Sequence, residues 1–423
     1  MFHDRALAEA ALDPRPASAV SGGAGLAGLA GVVAWVALCR AVGMDGPYAA
    51  LVNLIACGLP MIAWSLLIDK VHRRASTGID WTARRPWRET LDVSLVKLAG
   101  LWATWGAIAL TYATGRFYWE GNYPFAMGCL TAAAPVMLVL SVPYVLWIDR
   151  HLVEPRDGAW HFGAWLCGQG GEATAIAAHL RAWAVKGFFL AFMLSIVPPG
   201  FGDFVRRDMA GLWRDPAALA GWLTTFMFTV DVAFATVGYV LTFRPLDSHI
   251  RSANPFVAAW AAALICYPPF VLMANGGPLD YHPGTADWTH WLGGHPLLLW
   301  PVGAALVGLT AVYAGATVAF GLRFSNLTHR GIVTHGPYAW SRHPAYLAKN
   351  LFWWLSTLPV LSTGGWVDAT RATLLLGTVS GVYYWRARTE ERHLGADPDY
   401  RAYSAWLERR APVPRFFRWL LGA

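Results

Sequence analysis

Charge is the first thing this sequence lacks. Asp, Glu, Lys and Arg make up only 14% of its 423 residues, whereas soluble chains carry about 25%. Lysine is nearly missing, confined to Lys70, Lys97, Lys186 and Lys349. The five cysteines are scattered: Cys39, Cys57, Cys129 and Cys266 lie in apolar runs, and Cys167 in a Gly-rich connection. With no CxxC among them, neither a disulfide framework nor a thiolate zinc site is indicated. The low charge excludes a set of soluble domains. Disorder is excluded by 24 Trp, 20 Phe and 15 Tyr, far more than an unpacked chain holds. What is present is apolar: 56% hydrophobic residues and a mean hydropathy of +0.38. The fold class expected is all-α, a polytopic integral membrane protein.

A helix needs about 20 apolar residues to cross a bilayer. Windows meeting or approaching that length are 22–42, 48–68, 93–113, 124–148, 185–201, 217–243, 255–275 and 297–320. Two shorter ones, 346–361 and 369–385, flank the turn-like Ser-Thr-Gly-Gly at 362–365 and read as a tight hairpin. That gives about ten spans. The start of the chain carries Asp4, Glu9 and Asp13 before its first apolar stretch, unlike the basic n-region of a cleaved signal peptide.

With ten spans, both termini and the even-numbered loops share one side, which holds 25 Lys and Arg against six on the other. By the positive-inside rule that side is the cytoplasm. The preference for Arg over Lys, with abundant Ala, Gly and Trp, points to a bacterial chain and hence to an inner membrane. Between spans, 172–186 places Ile176, Leu180, Trp183 and Ala184 on one face and reads as an interfacial helix. Asp231 falls mid-span, where a carboxylate needs either an interhelical hydrogen bond or a polar cavity. Lys97 lies near a span end and is expected to snorkel. His282, His290 and His295 are dispersed in a loop and read as ordinary polar residues, so no metal is expected.

Chemistry gathers after Gly321. The loop GLRFSNLTHRGIVTHGPYAWSRHPAYLAKN and the exit segment WRARTEERHLGADPDYRAYSAWLERRAPVPRFF flank the same hairpin on the same side. Pro344 suits the first helical position, which makes His343 the cap. Arg342 and His343 then sit at a helix N-terminus that favours an anion. Tyr338, Trp340 and Tyr346 add aromatic faces able to hold a cation or stack on a planar ring. Glu390 and Glu391 follow the last span with Arg386, Arg388 and Arg392 around them. The spacing of these pairs is equally that of surface helix pairs worth a few tenths of a kcal/mol, and Arg342 taken alone is equally a lipid-headgroup anchor.

In combination the two stretches resemble the isoprenylcysteine carboxyl methyltransferase family, integral-membrane methyltransferases that use S-adenosylmethionine. The resemblance rests on HGPYAWSRHPAYL (335–347), the short hairpin and RTEERHL…DYRAY…VPRF (388–416), and covers about the last hundred residues. It implies a pocket for S-adenosyl-L-methionine lined by Arg330, Gly331, Ile332 and Val333, by Tyr338, and by His343, Pro344, Ala345 and Tyr346. Glu390 or Glu391 would close it. Arg388 or Arg386 would meet the acceptor, with Arg342 a third catalytic candidate. Two departures stand out. The stretch from Glu390 to Tyr400 is a little short, and Leu347-Ala348-Lys349 replaces the family's small Gly.

The function implied is methyl transfer to a lipid or other hydrophobic acceptor entering from the bilayer, a carboxylate by preference because it needs no base; no nucleic-acid partner is expected. Residues 297–423 would form the methyltransferase-like part with its cytoplasmic tail, and 1–296 a multi-span membrane region to which the sequence assigns no role. The alternatives are an NADPH-dependent sterol or enone reductase, whose Arg-His-Pro-Asn-Tyr element has Ala345 here in place of Asn, and a non-catalytic transporter or scaffold.

Overall fold

A computed structural model describes residues 15–413 and Arg415. Asp4, Arg5, Glu9, Asp13, Pro414, Phe416 and Arg418 lie outside the described residues. The described residues are mostly helical, with one two-residue strand pair among them. Helix α1 is Gly22–Val42, α2 Pro47–Ala63 (continued by a π-turn to Ile68), α3 Trp87–Thr114, α4 Tyr123–Ile148, α5 Gly158–Leu166, α6 Ala173–Arg206 and α7 Pro216–Val240. Then come β1 Ser252–Ala253, α8 Val257–Leu264, α9 Trp288–Leu292, α10 Pro296–Phe320, β2 Thr328–His329, α11 Pro344–Thr357, α12 Trp366–Leu394 and α13 Pro398–Arg410.

Among the described residues, seven helices are long and apolar enough to cross a membrane: α1, α2, α3, α4, α6, α7 and α10. The protein is an all-α polytopic integral membrane protein. Small residues set how closely its helices approach. A Cβ on Gly31 of α1 would fall 1.9 Å from the Ala56 carbonyl of α2, so the two backbones touch, as glycine allows in membrane helix pairs.

Three expectations need correction. The window 255–275 is helical only over α8, about 12 Å. Pro268 and Pro269 end any continuation, because they lack the amide proton and disfavour a helical residue before them. The chain still traverses the bundle. Asn254 donates to the Thr389 carbonyl at one end of α12 (3.2 Å), and the Gly284 carbonyl accepts from Ser362 Oγ at the other (2.8 Å). Irregular backbone at this depth survives only against protein or a cavity, and Tyr267 packs accordingly onto Phe189 and Phe192.

The stretch expected to lie as a separate interfacial helix is instead the start of α6, one helix of 34 residues. At about 51 Å it overruns a hydrocarbon core of about 30 Å, and no breaker falls between Lys186 and Gly187. Lys97 does not snorkel. It is buried, 2.5 Å from Asp149 Oδ1 and 3.2 Å from Asp157 Oδ2, tying α3 to the ends of α4 and α5.

The polar connections collect at the two ends of the bundle. At one end Arg74 donates to the Ala19 carbonyl (2.6 Å), Arg244 to that of Thr77 (3.2 Å) and Lys186 to Thr242 Oγ1 (2.6 Å). At the other, Arg40 caps the carbonyls of Phe204, Val205 and Arg207, and Arg206 pairs with Asp45 at 3.0 Å.

Candidate functional site

The residues from Gly321 to His343 form a loop whose shape is held from behind. Arg330 is buried, and its guanidinium donates to the carbonyls of Gly238, Leu241, Ser248, Leu322 and Phe324. It therefore closes the C-terminal ends of α7 and α10, where carbonyls lack intrahelical partners. All its N–H groups are engaged, so only its backbone is available to a ligand. Arg323 donates to the Arg330 carbonyl (2.8 Å) and to Asp247, which also accepts from Ser76 Oγ at 2.8 Å. Strand β1 pairs antiparallel with β2, Ser252 opposite His329. The segment before α1 lies across the outside, with Ala19 N donating to Ile332 O at 2.8 Å. Gly331 sits at φ 104°, and a Cβ there would fall 2.4 Å from Arg323 Nη1.

Onto this loop the exit segment folds back. Tyr400, Tyr403 and Leu407 of α13 pack with Ile332 and Tyr338. Tyr403 Oη donates to the Tyr338 carbonyl (2.7 Å), and Arg342 Nη2 meets Glu408 Oε1 at 2.6 Å. His329 Nε2 lies 3.0 Å from Asp397 Oδ2, and His393 Nε2 2.9 Å from Ser252 Oγ.

Between loop, hairpin and tail lies an open cavity. Of the residues singled out from sequence, Arg330, Gly331, Ile332, Val333, Tyr338, Arg342, His343, Ala345, Tyr346, Arg386 and Glu390 line it. Pro344 opens α11 and is buried beneath. Arg388 and Glu391 turn the other way. Arg388, with its side chain 61% exposed, meets Glu391 Oε2 at 2.6 Å. Trp340 stays 50% exposed on the surface. Helical phase explains the sorting: 386 and 390 are four apart and share a face, whereas 388 is rotated by about 200°.

His343 occupies the N-cap position of α11, yet its side chain makes no cap. It turns instead to the exit helix, Nε2 3.2 Å from Glu391 Oε1 and Nδ1 3.7 Å from Glu390 Oε2. Arg342 Nη1 is 3.4 Å from Glu391 as well. The anion at this helix start is thus the protein's own Glu391. Burial pushes the Glu391 carboxyl up, but the hydrogen bond and charge of His343 and the charges of Arg342 and Arg388 outweigh it, leaving the group below its usual range. Glu390 accepts from Tyr346 Oη and remains in contact with the cavity.

Sequence reasoning missed several lining residues. Tyr267 and Asn254 come from the irregular crossing, Tyr313 and Thr317 from α10, and Asn326, Lys349 and Tyr383 complete the deep part. Arg386 is only 3% exposed. Its Nη2 meets Asn326 Oδ1 at 3.2 Å, its Nε has no partner, and its guanidinium lies over the rings of Tyr346, Tyr383 and Tyr267. Deeper still, Asp231 of α7 accepts from Tyr313 Oη (2.9 Å) and Thr317 Oγ1. Both alternatives left open for Asp231 are thereby joined: it is hydrogen-bonded between helices, and its partners line the cavity. Only the polar texture of the 321–343 loop, which holds Asn326, pointed toward any of these missed residues.

Residues 282–396 match the model of the isoprenylcysteine carboxyl methyltransferase (ICMT) family. This matched stretch is the C-terminal part of the chain and contains most of the cavity lining. No curated protein and no solved structure matches the chain.

Proposed function

We propose that this protein is an S-adenosylmethionine-dependent methyltransferase acting on a lipid or other hydrophobic acceptor, by preference a carboxylate, at the cytoplasmic face of a bacterial inner membrane. One observation carries the reading: the segment that matches a methyltransferase family lines most of this cavity, where a carboxylate and a buried arginine with an unpartnered Nε face the same space.

The residues present suit the cofactor. Glu390 offers a carboxylate to its polar groups, and Tyr338 and Tyr346 offer ring faces. Tyr400 has a buried hydroxyl with no partner, and burial keeps that phenol protonated, able to donate. The backbone of 330–333 supplies the facing wall, closely approached because Gly331 carries no side chain. When bound, S-adenosylmethionine supplies an electron-poor methyl group.

The rest of the task falls to the chain. A carboxylate acceptor is a nucleophile at neutral pH, so the protein must orient it rather than remove a proton. Arg386, held flat by three tyrosines and with a free Nε, is suited to grip a carboxylate at two oxygens. The apolar helices α10, α11 and α12 surround this grip, favouring an acceptor with a hydrocarbon part. Residues before 254 support the loop from behind and contribute little to the cavity lining, which fits a methyltransferase-like C-terminal part set on a membrane scaffold.

The test is to incubate purified protein in lipid nanodiscs with methyl-tritiated S-adenosylmethionine and a lipid extract of the host membrane. Label in the organic phase that alkali releases as methanol is the expected result. Absence of any transferred label, with no binding of S-adenosylhomocysteine, would overturn the proposal.

A further inference from the structure

The deep end of the cavity holds a second cation. Lys349 lies in the second turn of α11 and lines the same space as Arg386. Its ammonium is 5.5 Å from the Tyr313 ring centroid, 5.2 Å from that of Trp353 and 5.6 Å from that of Tyr383. Tyr383 is shared, since the Arg386 guanidinium lies 5.2 Å from the same ring. Among the described residues, neither cation has a carboxylate within ion-pair distance, and Asp231 accepts from Tyr313 and Thr317. Aromatic faces hold a cation in place but do not neutralise it. Two positive groups at membrane depth, sharing one ring and facing one cavity, are a costly arrangement unless an anion completes it.

We infer that Lys349 and Arg386 together receive a doubly anionic head group, and that Lys349 selects such amphiphiles over those bearing a single carboxylate. Arg386 takes the planar carboxylate. Lys349, a compact charge on a flexible stem, takes the second anionic group, which is either another carboxylate or a phosphate monoester. The inference deepens the methyltransferase reading, on which it rests for the role of the head group. The charge selectivity itself can be measured without transfer.

The experiment uses the full-length protein in nanodiscs of neutral lipid and three probes of equal chain length: N-dodecanoylglycine, N-dodecanoylaspartate and N-dodecanoyl-O-phosphoserine. S-adenosylhomocysteine binding is measured on the same samples. Wild type is expected to bind at least one of the two doubly anionic probes ten-fold or more tighter than N-dodecanoylglycine. Whichever of them is preferred identifies the second group. Lys349→Met should reduce that preference at least five-fold, and Lys349→Arg should keep most of it. Equal binding of all three probes by wild type would overturn the inference with no variant required, as would an undiminished preference in Lys349→Met. Loss of S-adenosylhomocysteine binding with the selectivity intact would sink the cofactor reading alone.

Discussion

The two adjacent glutamates at the exit of α12 give the sharpest test of the site. Glu390 lines the cavity, while Glu391 faces His343, Arg342 and Arg388. Changing either to glutamine removes a charge without changing shape. If Glu390 holds a polar group of the cofactor, Glu390→Gln forfeits a hydrogen bond to a charged acceptor, worth about 1.5–3 kcal/mol. At about 1.4 kcal/mol per decade, that is a roughly 10- to 150-fold weaker Kd for S-adenosylhomocysteine. Glu391→Gln should act elsewhere. It loosens His343, Arg342 and Arg388, which pin the exit helix to the Arg-His-Pro turn, lowering thermal stability while leaving Kd within about three-fold. The assay is calorimetric titration of both variants in nanodiscs, paired with melting curves. The reasoning is refuted if Glu391→Gln weakens binding more than Glu390→Gln does, for the orientation of α12 would then be wrong.

Arg330→Met should leave five backbone carbonyls without their donor; at about 1–3 kcal/mol for each unmet buried group, the expected outcome is a fall in folded yield, partly recovered by Arg330→Lys. Normal folding with loss of S-adenosylhomocysteine binding alone would show that Arg330 serves the ligand instead. Acid sensitivity offers a third check. Burial, helped by the charges of His329 and Arg181, pushes the His393 imidazole down to about 4. A histidine depressed in the folded state loses stability as pH falls through its unfolded value near 6.5 toward the folded one. Allowing for its partial exposure, the loss by pH 5 is about 1 kcal/mol. The melting temperature of wild type should thus drop between pH 7 and pH 5 by more than that of His393→Gln, and identical drops would contradict the burial argument.

Membrane embedding was legible in the sequence because it depends on composition over 20-residue windows, and the bounds of α1 and α10 follow from their apolar stretches. So was the turn at Pro344, since proline at the first helical position is a local rule. The phase of α12 was not. Arg386 and Arg388, or Glu390 and Glu391, are equivalent in sequence, and which pair faces inward depends on the helices packed around them. Nor was the role of Arg330, whose partners Gly238 and Leu241 lie about ninety residues upstream, or the deep cage of Lys349, built from α10, α11 and α12 together. The window 255–275 reads as apolar and therefore as a span, although Pro268 and Pro269 forbid a continuous helix. Local chemistry thus told where the backbone enters the bilayer and which segment is reactive; the arrangement of that segment was decided by packing, because side-chain direction is a property of neighbours distant along the chain.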